Sequence, residues 1–260
     1  MENQDTAVQV DRLVELIIDA RNVVVFTGAG VSTESGIPDF RGPGGIWERF
    51  DPDDFTFQKF ISSEETRKKQ WRLMREGLIT EAKPNPAHHA IAELDRLGKL
   101  DCVITQNIDN LHQKAGVADE KVFELHGNNN WIKCLGCGQR YPYQEVKKRI
   151  IDGEEIPGCQ SCGGILKPEV VFFGEALPVD ALEQAAAHSR NADLFIVIGS
   201  TLVVYPAAHM PVFAVNSGAS LAIINIGSTP MDQQAEVLIS GKAGEVMFLV
   251  VTQLKARFAG

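Results

Sequence analysis

Between Val8 and Ala20 the apolar residues Val10, Leu13, Val14, Ile17 and Ile18 recur at the spacing of one helix face. The next apolar stretch, Val23-Val24-Val25-Phe26, is continuous and β-branched, which predicts a strand buried on both faces. Short apolar runs return at 102–105, 122–125, 170–173, 194–198, 221–225 and 237–239. Helical patterns separate several of them. One starts at Asn85-Pro86, a cap followed by proline in the first turn, and stops at Leu97 and Gly98. Others cover 179–189, 207–215 and 244–257. Buried strands alternating with helices predict an α/β fold, a parallel sheet with helices on both faces.

Two stretches break this rhythm. Residues 42–79 carry Trp47, Phe50, Phe55, Phe57, Phe60 and Trp71, which predicts short helices forming a lobe over the glycine loop that follows the first strand. Residues 128–168 are polar and glycine-rich, and read as an insertion. The expected division is therefore 1–41, 80–127 and 169–260 in the sheet domain, 42–79 in a helical part of a second, smaller domain, and 128–168 as its insertion. There is no internal repeat and no low-complexity segment.

Composition narrows the function classes. The 260 residues, 44% hydrophobic, suffice for one large core with a small satellite. A net charge of −9 argues against non-specific nucleic-acid binding and is compatible with basic protein segments as partners. No apolar run is long enough for a bilayer, and Met-Glu-Asn-Gln-Asp has no basic region followed by an apolar one, so a soluble, cytoplasmic protein is expected. Four of the five cysteines form Cys134-Leu-Gly-Cys137 and Cys159-Gln-Ser-Cys162, twenty-one residues apart. Two such knuckles offer four thiolates to one tetrahedral zinc, and glycines at 136, 138, 158 and 163 suit the turns. Disulfides are the rival reading, disfavoured in an unexported chain. Cys102 reads as an apolar filler.

Candidate chemistry lies after the strands, where ligands of open parallel sheets bind. Thr27-Gly28-Ala29-Gly30 follows the first, and its glycines let backbone N–H groups approach a pyrophosphate. Thr33 stands where the dinucleotide fingerprint has its third glycine, so the loop alone reads equally as a structural turn. Other strands end in Gln106-Asn107-Ile108-Asp109, His126-Gly127, Gly199-Ser200-Thr201 and Asn225-Ile226-Gly227. The convergence of small, amide, acidic and imidazole groups points to a nucleotide.

In this order, Gly28-Ala29-Gly30-Val31-Ser32, Gly36-Ile37-Pro38-Asp39-Phe40-Arg41, Thr105-Gln106-Asn107-Ile108-Asp109, His126-Gly127, the two knuckles and Gly199-Ser200-Thr201 resemble the sirtuins of bacterial and archaeal type, NAD-dependent protein lysine deacylases. The likeness runs from about Val8 to about Arg257. It implies a Rossmann-type domain, a small domain with structural zinc on Cys134, Cys137, Cys159 and Cys162, and a cleft where NAD meets an acetyl-lysine peptide. On this resemblance Gly28, Ala29 and Gly30 approach the pyrophosphate, and Thr33, Phe40 and Arg41 lie along the nicotinamide half. Asn107, Ile108 and Asp109 form the nicotinamide pocket, with Asn107 also catalytic, and Gln106 contacts the ribose. Gly199, Ser200, Thr201, Asn225, Ile226 and Ala243 serve the remaining cofactor contacts, and His126 is the catalytic base. Val171-Phe172-Phe173-Gly174-Glu175 and Val203-Val204-Tyr205 resemble the two strands that clamp the peptide. The implied reaction is removal of acetyl from lysine, giving nicotinamide and O-acetyl-ADP-ribose.

Plainer readings stand beside these. His126 can be a strand-end histidine bonded to backbone, Asp109 a helix N-cap, Phe172 and Phe173 core, and His112 a packing or capping group. A protein mono-ADP-ribosyltransferase, or a non-enzymatic NAD-regulated zinc-ribbon binding module, are the alternative functions. Relatives preferring acidic acyl groups place Tyr and Arg where this chain has Trp71 and Met74, which predicts a neutral acyl pocket unless Arg72 or Arg75 turns inward. Thr201 replaces the serine usual in its triplet and keeps the hydroxyl.

Overall fold

The structure, a computed structural model, describes residues 2–77 and 81–258. Nine strands follow in chain order: β1 Val23–Thr27, β2 Leu100–Thr105, β3 Val122–Glu124, β4 Gly127–Cys134, β5 Arg140–Pro142, β6 Leu166–Val170, β7 Leu194–Ile198, β8 Ser220–Ile224 and β9 Val237–Ile239. Six form a parallel sheet in the order β3-β2-β1-β7-β8-β9, and three form an antiparallel sheet in the order β5-β4-β6.

The parallel sheet is wound on both sides, as its fully buried strands require. Successive side chains of a strand point to opposite faces. Val23 and Val25 of β1, with Ile196 and Ile198 of β7, join one core, packed by the helices Glu2–Asp19, Pro86–Arg96 and Ala243–Phe258. Val24, Phe26, Phe195 and Val197 join the other, packed by Val179–Asn191 and Met210–Asn216. The strand order reverses between β1 and β7, which is where such sheets open a crevice for ligands.

A third core unites the two stretches that broke the sequence rhythm. Phe60, Trp71 and Met74, from Phe57–Ser62 and Glu64–Glu76, pack with Ile132, Tyr141, Val146 and Leu166 of the antiparallel sheet and the helix Tyr143–Ile151. The strands of the small sheet that border this core begin at Gly127 and end at Val170. The expected boundary between 79 and 80 lies outside the described residues. No helix among the described residues is long and apolar enough to cross a membrane.

One expected strand belongs elsewhere. The run 170–173 is not a strand of the parallel sheet; Val170 ends β6 in the small sheet, Val171 and Phe172 are irregular, and Phe173 makes an isolated parallel bridge to Thr56 before a turn at Gly174. A short apolar run carries no information about which sheet it joins. Here Phe172 is buried against Phe60, while Phe173 is exposed.

At the reversal the loops after β1 and β7 meet backbone to backbone. Gly199 adopts φ +63°, and a Cβ there would stand 2.2 Å from Val31 N and 2.4 Å from Gly30 C. Gly199→Ala should therefore cost more than the roughly 1–2 kcal/mol of left-handed backbone strain alone. Gly218→Ala is the control, since Gly218 has φ +97° but open space around its Cβ. Thermal melts should show the larger loss for Gly199→Ala, and equal losses would mean that the loops can part freely.

Candidate active site

The ends of β1 and β2 are joined by hydroxyls. Thr27 Oγ1–H donates to Thr105 Oγ1 (2.8 Å), and His112 Nε2–H donates to Thr27 Oγ1 (2.9 Å). Beyond Thr105 the loop 106–109 turns back over the glycine loop. The Asn107 amide donates to Gly28 O (3.2 Å) and Ser32 Oγ (3.1 Å), and Ser32 Oγ–H donates to Asp109 Oδ2 (2.7 Å). Asp109 is buried, and its other oxygen accepts Leu111 N–H (3.0 Å), the first amide of the short helix Leu111–Ala115, whose cap position is Asn110. Asn85 N–H donates to His88 Nδ1 (3.3 Å), which leaves His88 Nε2–H directed at Ser32 Oγ (3.5 Å). Burial pushes His88 down to about 3 and His112 down to about 4, so both rings are neutral at pH 7. Neither Ser32 nor His88 had been assigned a role from sequence. The available signal was local: His88 is the third helical residue after the Asn85 cap, the reciprocal position of a capping box.

His126, half-buried just beyond β3, has its ring fixed by one bond. The Gln106 carbonyl can only accept, so Nδ1 carries the proton and donates to it at 2.9 Å. Nε2 is then the basic nitrogen. Burial lowers the His126 pKa, favouring this neutral form. Its backbone carbonyl accepts Val171 N–H (2.8 Å), linking it to the segment 171–175.

Residues 29–35 form a tight helix whose Thr33 hydroxyl donates to Gly30 O (3.0 Å). Ala29 lies at its start, beside Gly28. Phe40 is 42% exposed and packs on Trp47 with centroids 5.1 Å apart, while Arg41 is exposed and makes no ion pair among the described residues. Across the reversal Ser200 is buried and accepts from Gln106 Nε2 (2.9 Å), with Gly199 and half-buried Thr201 beside it. Asn225 donates to Gly227 O (2.6 Å), and Ile226 is 71% exposed. Ala243 is buried at the start of the last helix, where Gly244 N–H meets Glu34 Oε2 (2.6 Å). Ile108 packs against the third core, so the loop 106–109 bridges the two domains.

The two segments expected from the sequence to hold a peptide are positioned differently. Phe173 N–H donates to Phe55 O (3.0 Å) and Phe57 N–H to Phe173 O (2.9 Å), tying 171–175 to the lobe. Glu175 directs its carboxylate inward, onto Lys167 Nζ (2.8 Å). In the second segment Val203 and Tyr205 are exposed, and Val204 O accepts Ala208 N–H (2.9 Å).

The four knuckle sulfurs lie within 4.8 Å of one another, with Cys134–Cys162 at 3.5 Å and Cys137–Cys159 at 3.6 Å. Zinc with sulfur at about 2.3 Å in a tetrahedron requires sulfurs about 3.8 Å apart, so the donor set fits one zinc. Backbone N–H groups of Gly136 (3.3 Å) and Cys137 (3.5 Å) point at Cys134 Sγ, as a thiolate favours. Cys102 is fully buried, and burial raises its thiol pKa, consistent with an inert filler.

Comparison with known proteins places this geometry. The Sir2 family profile matches residues 28–206. A Bradyrhizobium diazoefficiens protein named NAD-dependent protein deacetylase 1 is 47% identical over 240 residues, covering 92% of this chain and 93% of its own. A Pyrobaculum aerophilum protein of the same name is 45% identical over 252 residues, covering 96% of each. Among solved structures, a complex of Sir2, a p53 peptide and NAD+ superposes with a TM-score of 0.87 at 40% identity, covering 95% of this chain and 99% of that one. The chain belongs to the Sir2 family.

Proposed function

We propose that this chain is an NAD-dependent protein lysine deacetylase, acting on acetylated lysines of proteins or peptides and yielding nicotinamide and O-acetyl-ADP-ribose. The observation that carries the reading is His126, its Nδ1–H held by the carbonyl of Gln106, whose loop also carries Asn107 and Asp109. The names of the relatives and the peptide and NAD+ of the related complex support it.

The residues fit an NAD molecule in the crevice. Gly28, Ala29 and Gly30 would face its pyrophosphate, and Thr33, Phe40, Arg41, Gln106, Asn107, Ile108 and Asp109 its nicotinamide half. Gly199, Ser200, Thr201, Asn225, Ile226 and Ala243 would hold the rest. Bound NAD supplies a sugar carbon that loses nicotinamide and receives the acyl oxygen. His126 Nε2 takes the proton of a ribose hydroxyl, while Phe40 and Ile108 exclude water that would compete. Asp109 has lone pairs left beyond its two internal bonds, and would accept the nicotinamide carboxamide. Residues 171–175 and 203–205 would hold the peptide through main-chain bonds. The four thiols and their zinc suit a reducing compartment, so we assign the enzyme to the cytoplasm. We assign 1–41, 80–127 and 169–260 to the NAD-binding domain, and 42–79 with 128–168 to the small one.

Incubation with NAD and an acetyl-lysine peptide tests the reading. One O-acetyl-ADP-ribose per deacetylated lysine is expected; ADP-ribose left on the acceptor would instead identify a transferase. His126→Ala should lose about 10²–10⁴ in turnover with an unchanged melting temperature. Because burial lowers the pKa of His126, its basic form persists below the ordinary imidazole range. The acid limb of kcat/KM should therefore lie under about 6.5, and a limb above that value would remove His126 as the base.

All four zinc ligands are thiolates, which leaves no open coordination position. Chelation should therefore loosen the third core and red-shift the emission of Trp47, Trp71 and Trp131, the three tryptophans of the chain. A metal-free protein with unchanged emission but no turnover would contradict a structural role.

Trp71 and Met74 are buried, whereas Arg72 and Arg75 face solvent on the same helix. Trp71 Nε1 is a buried donor without a partner among the described residues, and a neutral N–H does not neutralise a carboxylate. Acetyl-lysine should therefore exceed succinyl-lysine in kcat/KM by about five- to a hundred-fold on matched peptides. Equal rates would show that an arginine reaches the acyl chain.

A further inference from the structure

Strand β6 carries a lysine among apolar neighbours, and that residue, Lys167, is only 5% exposed. Its ammonium donates to Pro168 O (3.2 Å), Val170 O (2.6 Å) and Glu175 Oε2 (2.8 Å), which uses all three N–H groups. The nitrogen also lies 4.5 Å from the centroid of the Phe172 ring, a cation–π distance. The Glu175 oxygen that meets the ammonium accepts Phe172 N–H as well (2.7 Å). Glu175 N–H in turn donates to Phe172 O (3.0 Å), closing the turn 172–175. Phe60 packs edge-on against the Phe172 ring at 5.2 Å. One buried cation thus touches the residue just before the segment 171–175, one of the segment's rings and its end.

Stability alone gives little reason for these charges. Burial lowers the Lys167 pKa and Glu175 opposes that shift, the balance expected when an ion is removed from water and then paired. Well-packed apolar residues in place of such a pair are often neutral or stabilising. Direction is what the pair adds. Three N–H vectors from one nitrogen fix Pro168, Val170 and Glu175 relative to one another, and Glu175 in turn holds Phe172 N–H, which apolar packing does not do.

We propose that Lys167, acting through Glu175, is a positioning residue that holds 171–175 in the shape that receives the acetyl-lysine peptide. The identity of the ligand rests on the deacetylase reading. Neither Lys167 nor Glu175 bonds to the glycine loop, to 106–109 or to Ser200, so peptide affinity should depend on the pair and NAD affinity should not.

The test compares Lys167→Met, Lys167→Arg and Glu175→Gln in the whole chain. It reads peptide KM at saturating NAD, NAD KM at saturating peptide, and direct binding of a labelled acetyl-lysine peptide by anisotropy. Lys167→Met and Glu175→Gln should weaken the peptide at least about tenfold by KM and by direct binding. NAD KM should stay within about twofold. Lys167→Arg keeps the charge and the donors and should recover most of the affinity. Unchanged peptide affinity in folded Lys167→Met would overturn the proposal, as would parallel losses for peptide and NAD. If Lys167→Met does not fold, Glu175→Gln decides by the same criterion, because its amide keeps the volume and an acceptor oxygen. Wild-type protein that binds the peptide without deacetylating it would sink the deacetylase reading and leave the clamp to be judged by anisotropy. Wild-type protein that does neither sinks both.

Discussion

At the reversal of strand order, the loops leaving β1 and β7 cross with no side chain between them. A Cβ on Gly28 would stand 2.8 Å from Gly199 O, and one on Gly30 would stand 2.7 Å from Gly199 Cα. Gly30 N–H donates to Gly199 O (2.9 Å), so the approach is bonded as well as close. The position of the helix 29–35 follows from this contact, and four side chains follow from the helix. Val31 enters the first core, Ser32 meets Asp109, Thr33 folds back on Gly30, and Glu34 accepts Gly244 N–H. Any side chain at the crossing would push the helix outward and break the 2.7 Å bond to Asp109.

Electrostatics continues what this geometry begins. His88, His112 and His126 all lie around the loop 106–109, and burial lowers the pKa of each. An imidazolium there would oppose the positive charge that develops when nicotinamide leaves a sugar. Two like charges 4 Å apart repel by about 4 kcal/mol at an effective dielectric constant of 20. Neutral rings avoid that cost, and His88 still meets Ser32, which holds the Asp109 carboxylate. The same burial leaves His126 with a lone pair in place of a proton.

Much of this was legible in the chain because period and composition report burial directly. The fully buried runs of β1 and β7 could only be interior strands, and the paired C-x-x-C knuckles determine which sulfurs can meet. The glycine loop was readable as a close approach, but its partner was not. The contact with Gly199 joins residues about 170 positions apart, and no local pattern carries such a pairing. Residues 170–173 were misplaced for a related reason, since β-branched and aromatic residues suit the edge of a small sheet as well as the centre of a large one. Lys167, and with it the inward pairing of Glu175, stayed hidden because a charged residue in sequence normally means solvent. His88 stayed hidden because its bond to Ser32 crosses between two elements.

The two halves of the site are held by different forces. On the proposed peptide side, Lys167 and Glu175 make directional bonds, and Phe173 is tied by its backbone to Phe55 and Phe57. On the proposed cofactor side, Phe40 is held by a ring contact with Trp47, which also packs against Phe55 at 5.3 Å and Phe173 at 6.1 Å. Aromatic contacts of this kind are worth about 0.5–1.5 kcal/mol each and tolerate rotation, whereas a charge-assisted bond fixes an angle. Trp47 therefore joins a half whose shape is set by bond vectors to one whose shape is set by packing. That division suits the chemistry. In the proposed reaction the peptide backbone would have to be met in register, while the loop bearing Phe40 would need only to cover the cofactor and keep water away.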